Sequence, residues 1–288
     1  MNKEDLDPQY SHLYEDGQTD ETAIRRLIDI IKILRSADGC LWDQEQTHES
    51  LKVCMIEEAY EVCDAIDKED LDSLKDELGD VLLQVVFHSD IEQDYGNFSF
   101  KDVANKVSEK MVRRHPHVFF DESAKSVDKA LEKWENVKRR EREGMTLSDI
   151  MNAIPKALPA LTKSYKVQAK AADVGFDWDN VDDAFKKVSE ETSELTRAMI
   201  DGSKIDMEEE LGDLLFSVVN IARFLDINPE EALNRTSQKF IDRFSHIEKT
   251  ATQRKLNLVD MSLEEMDALW DEAKRLDKTK APNGEELD

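Results

Sequence analysis

The stretch Glu57-Glu58-Ala59-Tyr60-Glu61, followed by Glu77-Leu78-Gly79-Asp80, decides how this chain is read. At about 100° per residue the three glutamates fall at roughly 0°, 100° and 40° around a helix, so their carboxylates share one face. Glu77 and Asp80, three residues apart, share a face of the next helix. Leu78, Val81, Leu82, Val85 and Val86 then recur at helical spacing behind them. The whole arrangement is written twice. Glu190-Glu191-x-x-Glu194 and Glu210-Leu211-Gly212-Asp213 lie 133 residues further on, with Leu211, Leu214, Leu215, Val218 and Val219 repeating the apolar pattern.

The repeat extends outward from these segments. Asn105, Lys110 and Arg114 return as Asn234, Lys239 and Arg243 at an offset of 129, so the second copy has a loop four residues shorter. Trp134-x-x-x-Lys138-Arg139 returns as Trp270-x-x-x-Lys274-Arg275 at an offset of 136, and Trp42-Asp43 corresponds to Trp178-Asp179. Two modules, residues 21–145 and 146–280, therefore account for nearly the whole chain, with polar tails expected at 1–20 and 281–288. The charged segment Arg140 to Ser148, which carries Gly144, is the expected linker.

Composition agrees with an all-α fold of tandem helical bundles. Nine Gly and six Pro in 288 residues supply too few turns for an all-β protein. Ile24, Leu27, Ile28, Ile31 and Leu34 predict a further amphipathic helix. With 65 acidic against 39 basic side chains the net charge is −26, which argues against nucleic-acid phosphates and anionic membranes as partners. No apolar run approaches the about eighteen residues of a membrane span. Residues 1–20 lack the basic start and apolar centre of a secretion signal, and the three cysteines form no CxxC pair. A cytoplasmic location is expected.

Four or five carboxylates on two adjacent helices cannot all stay ionised without a counter-charge. Neither constellation contains Cys or His, so the donor set selects a hard divalent cation, Mg²⁺ or Mn²⁺, with waters left to exchange for phosphate oxygens. The glycines inside the apolar helices, Gly79 and Gly212, cost about 1 kcal/mol each relative to Ala and suggest close approach of another backbone. A one-sided apolar helix pair also predicts packing on its twin or on a second copy.

EExxE followed by ExxD on consecutive helices, twice, resembles the MazG family of nucleoside triphosphate pyrophosphohydrolases. Leu41-Trp42-Asp43-Gln44-Glu45-Gln46-Thr47, Arg113-Arg114-His115-Pro116-His117-Val118-Phe119 and Ala171-Ala172-Asp173-Val174-Gly175-Phe176-Asp177-Trp178 add to the likeness, which covers about 21–280. Leu41 stands where the family more usually has proline. The resemblance implies an all-α, usually dimeric fold that uses Mg²⁺ to convert NTP and water into NMP and pyrophosphate with broad base tolerance. It also implies metal ligands at Glu191, Glu194, Glu210 and Asp213, and at Glu58, Glu61, Glu77 and Asp80. Glu190 and Glu209 are then candidates for orienting or deprotonating water. The resemblance further implies substrate-binding positions at Lys187, Lys239, Arg243 and Trp270, the last of which could instead close the bundle, with Glu57, Lys110, Arg114 and Trp134 in the first module. Cys54 stands where the first module should match Lys187, which favours the second module as the principal site. Two other readings are open: a di-iron bundle, for which the sequence offers only Glu45-x-x-His48, and a non-catalytic nucleotide-binding regulator. His115 and His117 have no counterpart in the second module and read as structural.

Overall fold

A computed structural model describes residues 7–120 and 126–280. These residues form thirteen α-helices and no strand, in two compact units, Met1–Glu141 and Arg142–Asp288. The expected all-α fold is what is observed.

In the first unit α1 (Asp20–Leu34) starts at a Thr19–Thr22 capping box. A one-turn helix, α2 (Leu41–Gln44), leads to α3 (His48–Asp67), which opens on a second capping box at Thr47 and Ser50. Three residues then reverse the chain. Glu69 takes a positive φ of 55°, and the Asp70 carboxylate accepts from the backbone N–H groups of Asp72 and Ser73 to cap α4 (Leu71–Asp94). This short turn lays α3 and α4 side by side and brings EExxE to ExxD. The helices α5 (Phe100–Arg114), α6 (Pro116–Phe119) and α7 (Val127–Arg140) complete the unit.

The second unit repeats the plan. A short α8 (Leu147–Asn152) precedes α9 (Ala160–Ala172), which packs on α11 (Lys204–Phe224) as α1 packs on α4. The acidic helix α10 (Val181–Asp201) joins α11 through Gly202 and the N-cap Ser203, then α12 (Pro229–Gln253) pairs with α13 (Leu263–Lys280).

The core of the first unit is small: Ile31, Leu51, Val86, Phe87 and Ile91, surrounded by Ile24, Leu27, Ile28, Leu34, Leu83 and Phe100. A buried ion pair joins α1 to α4 beside it. Arg35 Nε donates to Asp90 at 2.9 Å and Nη2 to Asp94 at 2.6 Å, with the guanidinium 5.4 Å from the Phe87 ring centre. The second unit reverses the polarity. Arg223, the counterpart of Asp90, pairs with Asp177 in the loop before Trp178. Each unit thus ties the strap preceding its acidic helix to the ExxD helix through one arginine.

Two expectations are corrected. Residues 7–19 are not a loose tail, because Pro8–Tyr14 form a 3₁₀ turn and Arg26 binds the Leu13 carbonyl and Asp16. The tail expected at 281–288 lies outside the described residues. A Cβ placed on Gly79 or Gly212 would meet nothing within 4 Å, so among the described residues of its own unit no other backbone approaches either. The apolar stripe is also only half covered. Val86 and Val219 are 1 % exposed, whereas Leu78, Leu82, Leu211, Leu215 and Val218 lie open because no helix of the same unit reaches that side.

Removing one partner of a buried ion pair strands the other charge, at a cost of about 3–5 kcal/mol. Asp90→Ala is therefore expected to lower unfolding stability by about 3 kcal/mol in chemical denaturation. A loss below about 0.5 kcal/mol would show that Arg35 finds water or Asp94 instead.

Candidate active site

The α3–α4 turn places Glu58, Glu77 and Asp80 so that one oxygen of each lies within 4.8 Å of the others. In the second unit the equivalent cluster is Glu191, Glu194 and Glu210, again within 4.8 Å. Each triad is flanked by the fourth acid of its set. Glu61 is within hydrogen-bonding reach of Glu58 and Glu77, and Asp213 acts on Glu210 through its charge. All eight carboxylates proposed as ligands therefore fall into two groups of four. Glu57 and Glu209 are exposed on the flanks, outside both triads.

Electrostatics separates the two sites. In the first, burial and then the charges of Asp80, Glu61 and Glu77 push Glu58 above the usual carboxylate range. Glu77 is raised as well, by burial and then by Glu61. No base enters this cluster, since Cys54 occupies the place of Lys187. In the second site Lys187 Nζ lies 2.5 Å from Glu191 and 2.9 Å from Glu190, and these two contacts raise the lysine above its ordinary value. Glu191, only 4 % exposed, is thereby neutralised from within its own helix. Glu210 has less help: burial, then Glu194, Glu191 and Asp213, raise it, and Arg197 offsets this only in part. Hard oxygen donors with unmet repulsion form a donor set that suits Mg²⁺ or Mn²⁺.

The basic and aromatic positions form a different cluster in each unit. Arg243 stands over the Trp270 ring at 5.5 Å and donates through Nε to Asp277 at 2.9 Å. Phe240 packs on the same indole at 5.0 Å. In the first unit Arg114 lies 5.9 Å from the Trp134 centre and binds Glu141 through Nη2 at 2.6 Å and Nε at 3.1 Å. Lys110 and Lys239 join neither arrangement and have no ion-pair partner among the described residues. A cavity of about 360 Å³ lies beside Arg243, lined also by Asp271, Lys274, Arg275 and Asp277. None of the carboxylate ligands lines it.

Glu141 and Asp277 were missed by the motif reading. They stand 136 residues apart, the offset already fixed by the two tryptophans, so extending that register by seven positions finds them. The same register pairs Glu135–Lys138 at 3.3 Å with Asp271–Lys274 at 3.0 Å. His48, the histidine of the di-iron alternative, turns away from that role. Its ring nitrogens contact His88 at 2.7 Å and Glu92 at 2.6 Å. His115 bonds the Met111 carbonyl at the end of α5, as a structural histidine would.

An all-α chain with two buttressed carboxylate groups, each on a helix pair, has the layout of an α-helical phosphohydrolase. The family model of the MazG nucleotide pyrophosphohydrolase domain matches twice, at residues 46–119 and 181–248. A Thermotoga maritima protein named nucleoside triphosphate pyrophosphohydrolase/pyrophosphatase MazG is 43 % identical over 253 residues, covering 88 % of this chain and 96 % of that one. The nucleoside triphosphate pyrophosphohydrolase of Escherichia coli K12 is 42 % identical over 257 residues, covering 88 % and 97 %. The uncharacterized protein YabN of Bacillus subtilis is 50 % identical over 250 residues, 86 % of this chain but 51 % of its own length. This chain belongs to the MazG family of nucleoside triphosphate pyrophosphohydrolases.

Glu141 supplies a pH prediction. Its contacts with Arg114 and then Arg113 depress its pKa to about 2. A depressed carboxylate stabilises the fold above its unfolded pKa and loses that contribution as pH falls through the folded value. Glu141→Gln should therefore lower the melting temperature at pH 7, and the gap to the parent should close between about pH 4.5 and pH 2. A gap that persists unchanged at pH 2 would assign the loss to packing instead.

Proposed function

We propose that this chain hydrolyses the α–β phosphoanhydride of nucleoside triphosphates, releasing NMP and pyrophosphate, with Mg²⁺ as cofactor and Mn²⁺ as substitute. The observation that carries this reading is the second-unit triad of Glu191, Glu194 and Glu210, gathered within 4.8 Å, with Lys187 reaching into it. These three and Asp213 would hold the cation, which supplies charge neutralisation of the triphosphate and activation of water. Lys187 is positioned to exchange its bonds to Glu190 and Glu191 for a phosphate oxygen. That exchange frees Glu190 to accept a proton from water; Glu209, exposed and without an ion-pair partner among the described residues, is the second candidate. Arg243 and Lys239 would hold phosphates, and Trp270 would offer its indole to a base. The base carries little of the recognition, so broad specificity follows, consistent with clearance of unwanted nucleotides.

The first unit holds the same carboxylates but no counterpart of Lys187, so it is assigned the lesser role. The uncovered stripes at Leu78, Leu82, Leu211 and Leu215 support a homodimer as the working form. No helix among the described residues is long and apolar enough to cross a membrane, and the three cysteines are unpaired, which supports a cytoplasmic site of action.

Incubation with Mg²⁺ and ATP is expected to yield AMP and pyrophosphate; ADP and orthophosphate would contradict the assigned bond. Turnover-free nucleotide binding would favour a regulatory role. Glu191→Gln with Asp213→Asn should lower kcat/KM by at least about a hundredfold, while Glu58→Gln with Asp80→Asn should cost less. Full activity in the first double variant would move the active site elsewhere.

Without divalent cation, Glu58→Gln should raise the melting temperature, because it removes one charge from an uncompensated cluster. The same change should abolish the first unit's share of stabilisation by Mg²⁺. A drop in melting temperature without cation would show that the cluster is not repulsive.

A further inference from the structure

Each unit carries an arginine over a tryptophan and a carboxylate seven residues beyond that tryptophan, but the carboxylates differ by one methylene. Asp277 reaches only the Nε of Arg243, at 2.9 Å, and among the described residues neither Nη of Arg243 has a partner. Glu141 reaches further. It takes Arg114 by Nη2 at 2.6 Å and Nε at 3.1 Å, and Arg113 by Nε at 2.9 Å. The counterpart of Arg113 in the second unit is Asp242, so no second guanidinium competes there. The cavities reflect this. Arg243 lines a cavity in the second unit, whereas Arg113, Lys133 and Glu141 line one in the first that Arg114 does not.

A planar guanidinium binds an anion best through two parallel N–H bonds from one edge. An arginine whose Nε/Nη2 edge is filled by a carboxylate has lost one of its two forks, while one held by Nε alone keeps both Nη groups free at fixed orientation. We infer that residue 277 and its counterpart 141 are positioning residues that set how far each unit's arginine is available to a phosphoryl group: Asp277 orients Arg243 and leaves its Nη pair open, and Glu141 withdraws Arg114. This rests on the proposed role of Arg243 as a phosphate-binding residue, and it gives a second, independent reason for the two units to differ in activity.

The reciprocal exchange tests it on the full-length chain. Asp277→Glu lengthens the carboxylate by the methylene that distinguishes the units. It is expected to raise KM for Mg–ATP about fivefold or more with kcat within about twofold, and to weaken binding of Mg–pyrophosphate in calorimetry by a similar factor. Asp277→Asn, which keeps the size and the acceptor oxygen, should lie between this variant and the parent. In a chain whose second-unit ligands are neutralised by Glu191→Gln and Asp213→Asn, Glu141→Asp should tighten Mg–pyrophosphate binding at the first unit about threefold. Unchanged KM and pyrophosphate affinity in Asp277→Glu would overturn the inference. So would a KM change accompanied by a fallen melting temperature and restored by no variant, since that is the signature of packing. If the parent makes no NMP and pyrophosphate, the proposed reaction fails, whereas the pyrophosphate-binding comparison still decides this one.

Discussion

Like-charge crowding between two adjacent helices is the constraint on which the rest of this molecule depends. Each unit uses a turn of two or three residues, Lys68 to Asp70 or Gly202 to Ser203, to bring EExxE beside ExxD. The result raises Glu58, Glu77 and Glu210 above their ordinary range. Burying apolar area behind those helices is what makes the crowding tolerable, and the buried pair Arg35–Asp90 and the more exposed pair Arg223–Asp177 fix the strap that leads into each acidic helix. A cation-binding reading accounts for repulsion that a purely structural reading would leave unexplained. The second unit shows the alternative solution in miniature, because Lys187 is an internal cation for Glu191.

Much of this was legible in the sequence because helical period and repeat offset are local, additive properties. Glu58 with Glu61 and Glu77 with Asp80 could be placed on faces by angle alone, and the 133-residue offset paired them with their copies. The Cys54-for-Lys187 difference was equally visible, and its electrostatic consequence follows from it. What the sequence did not show depends on contacts across elements. Glu141 and Asp277 sit among many other acids, and only the fold shows them meeting an arginine from another helix. The polarity reversal between Asp90 and Arg223 is of the same kind, since neither position belongs to a motif. Gly79 and Gly212 were read as close-approach sites, but helix propensity reports a cost and not its cause, and no other backbone among the described residues of the same unit approaches them.

Duplication leaves two sites free to diverge. Fold and carboxylate pattern are retained in both, while the surroundings differ in an internal lysine, a competing Arg113 and one methylene at the carboxylate facing the arginine. Such changes leave the core undisturbed, because they lie on exposed or half-buried faces. The uncovered leucines beside each carboxylate group mean that the same helix pair presents a charged and an apolar surface side by side. Covering the second by another copy would also exclude water from the first, which strengthens every charge interaction there.

The central claim, that the two carboxylate groups hold divalent cations, is tested most directly by titrating the full-length chain with Mn²⁺ and following free ion by electron paramagnetic resonance. The account predicts saturable sites that weaken by at least about tenfold when Glu191→Gln and Asp213→Asn are combined, and that disappear when Glu58→Gln and Asp80→Asn are added. Unaltered Mn²⁺ binding in the quadruple variant would contradict it.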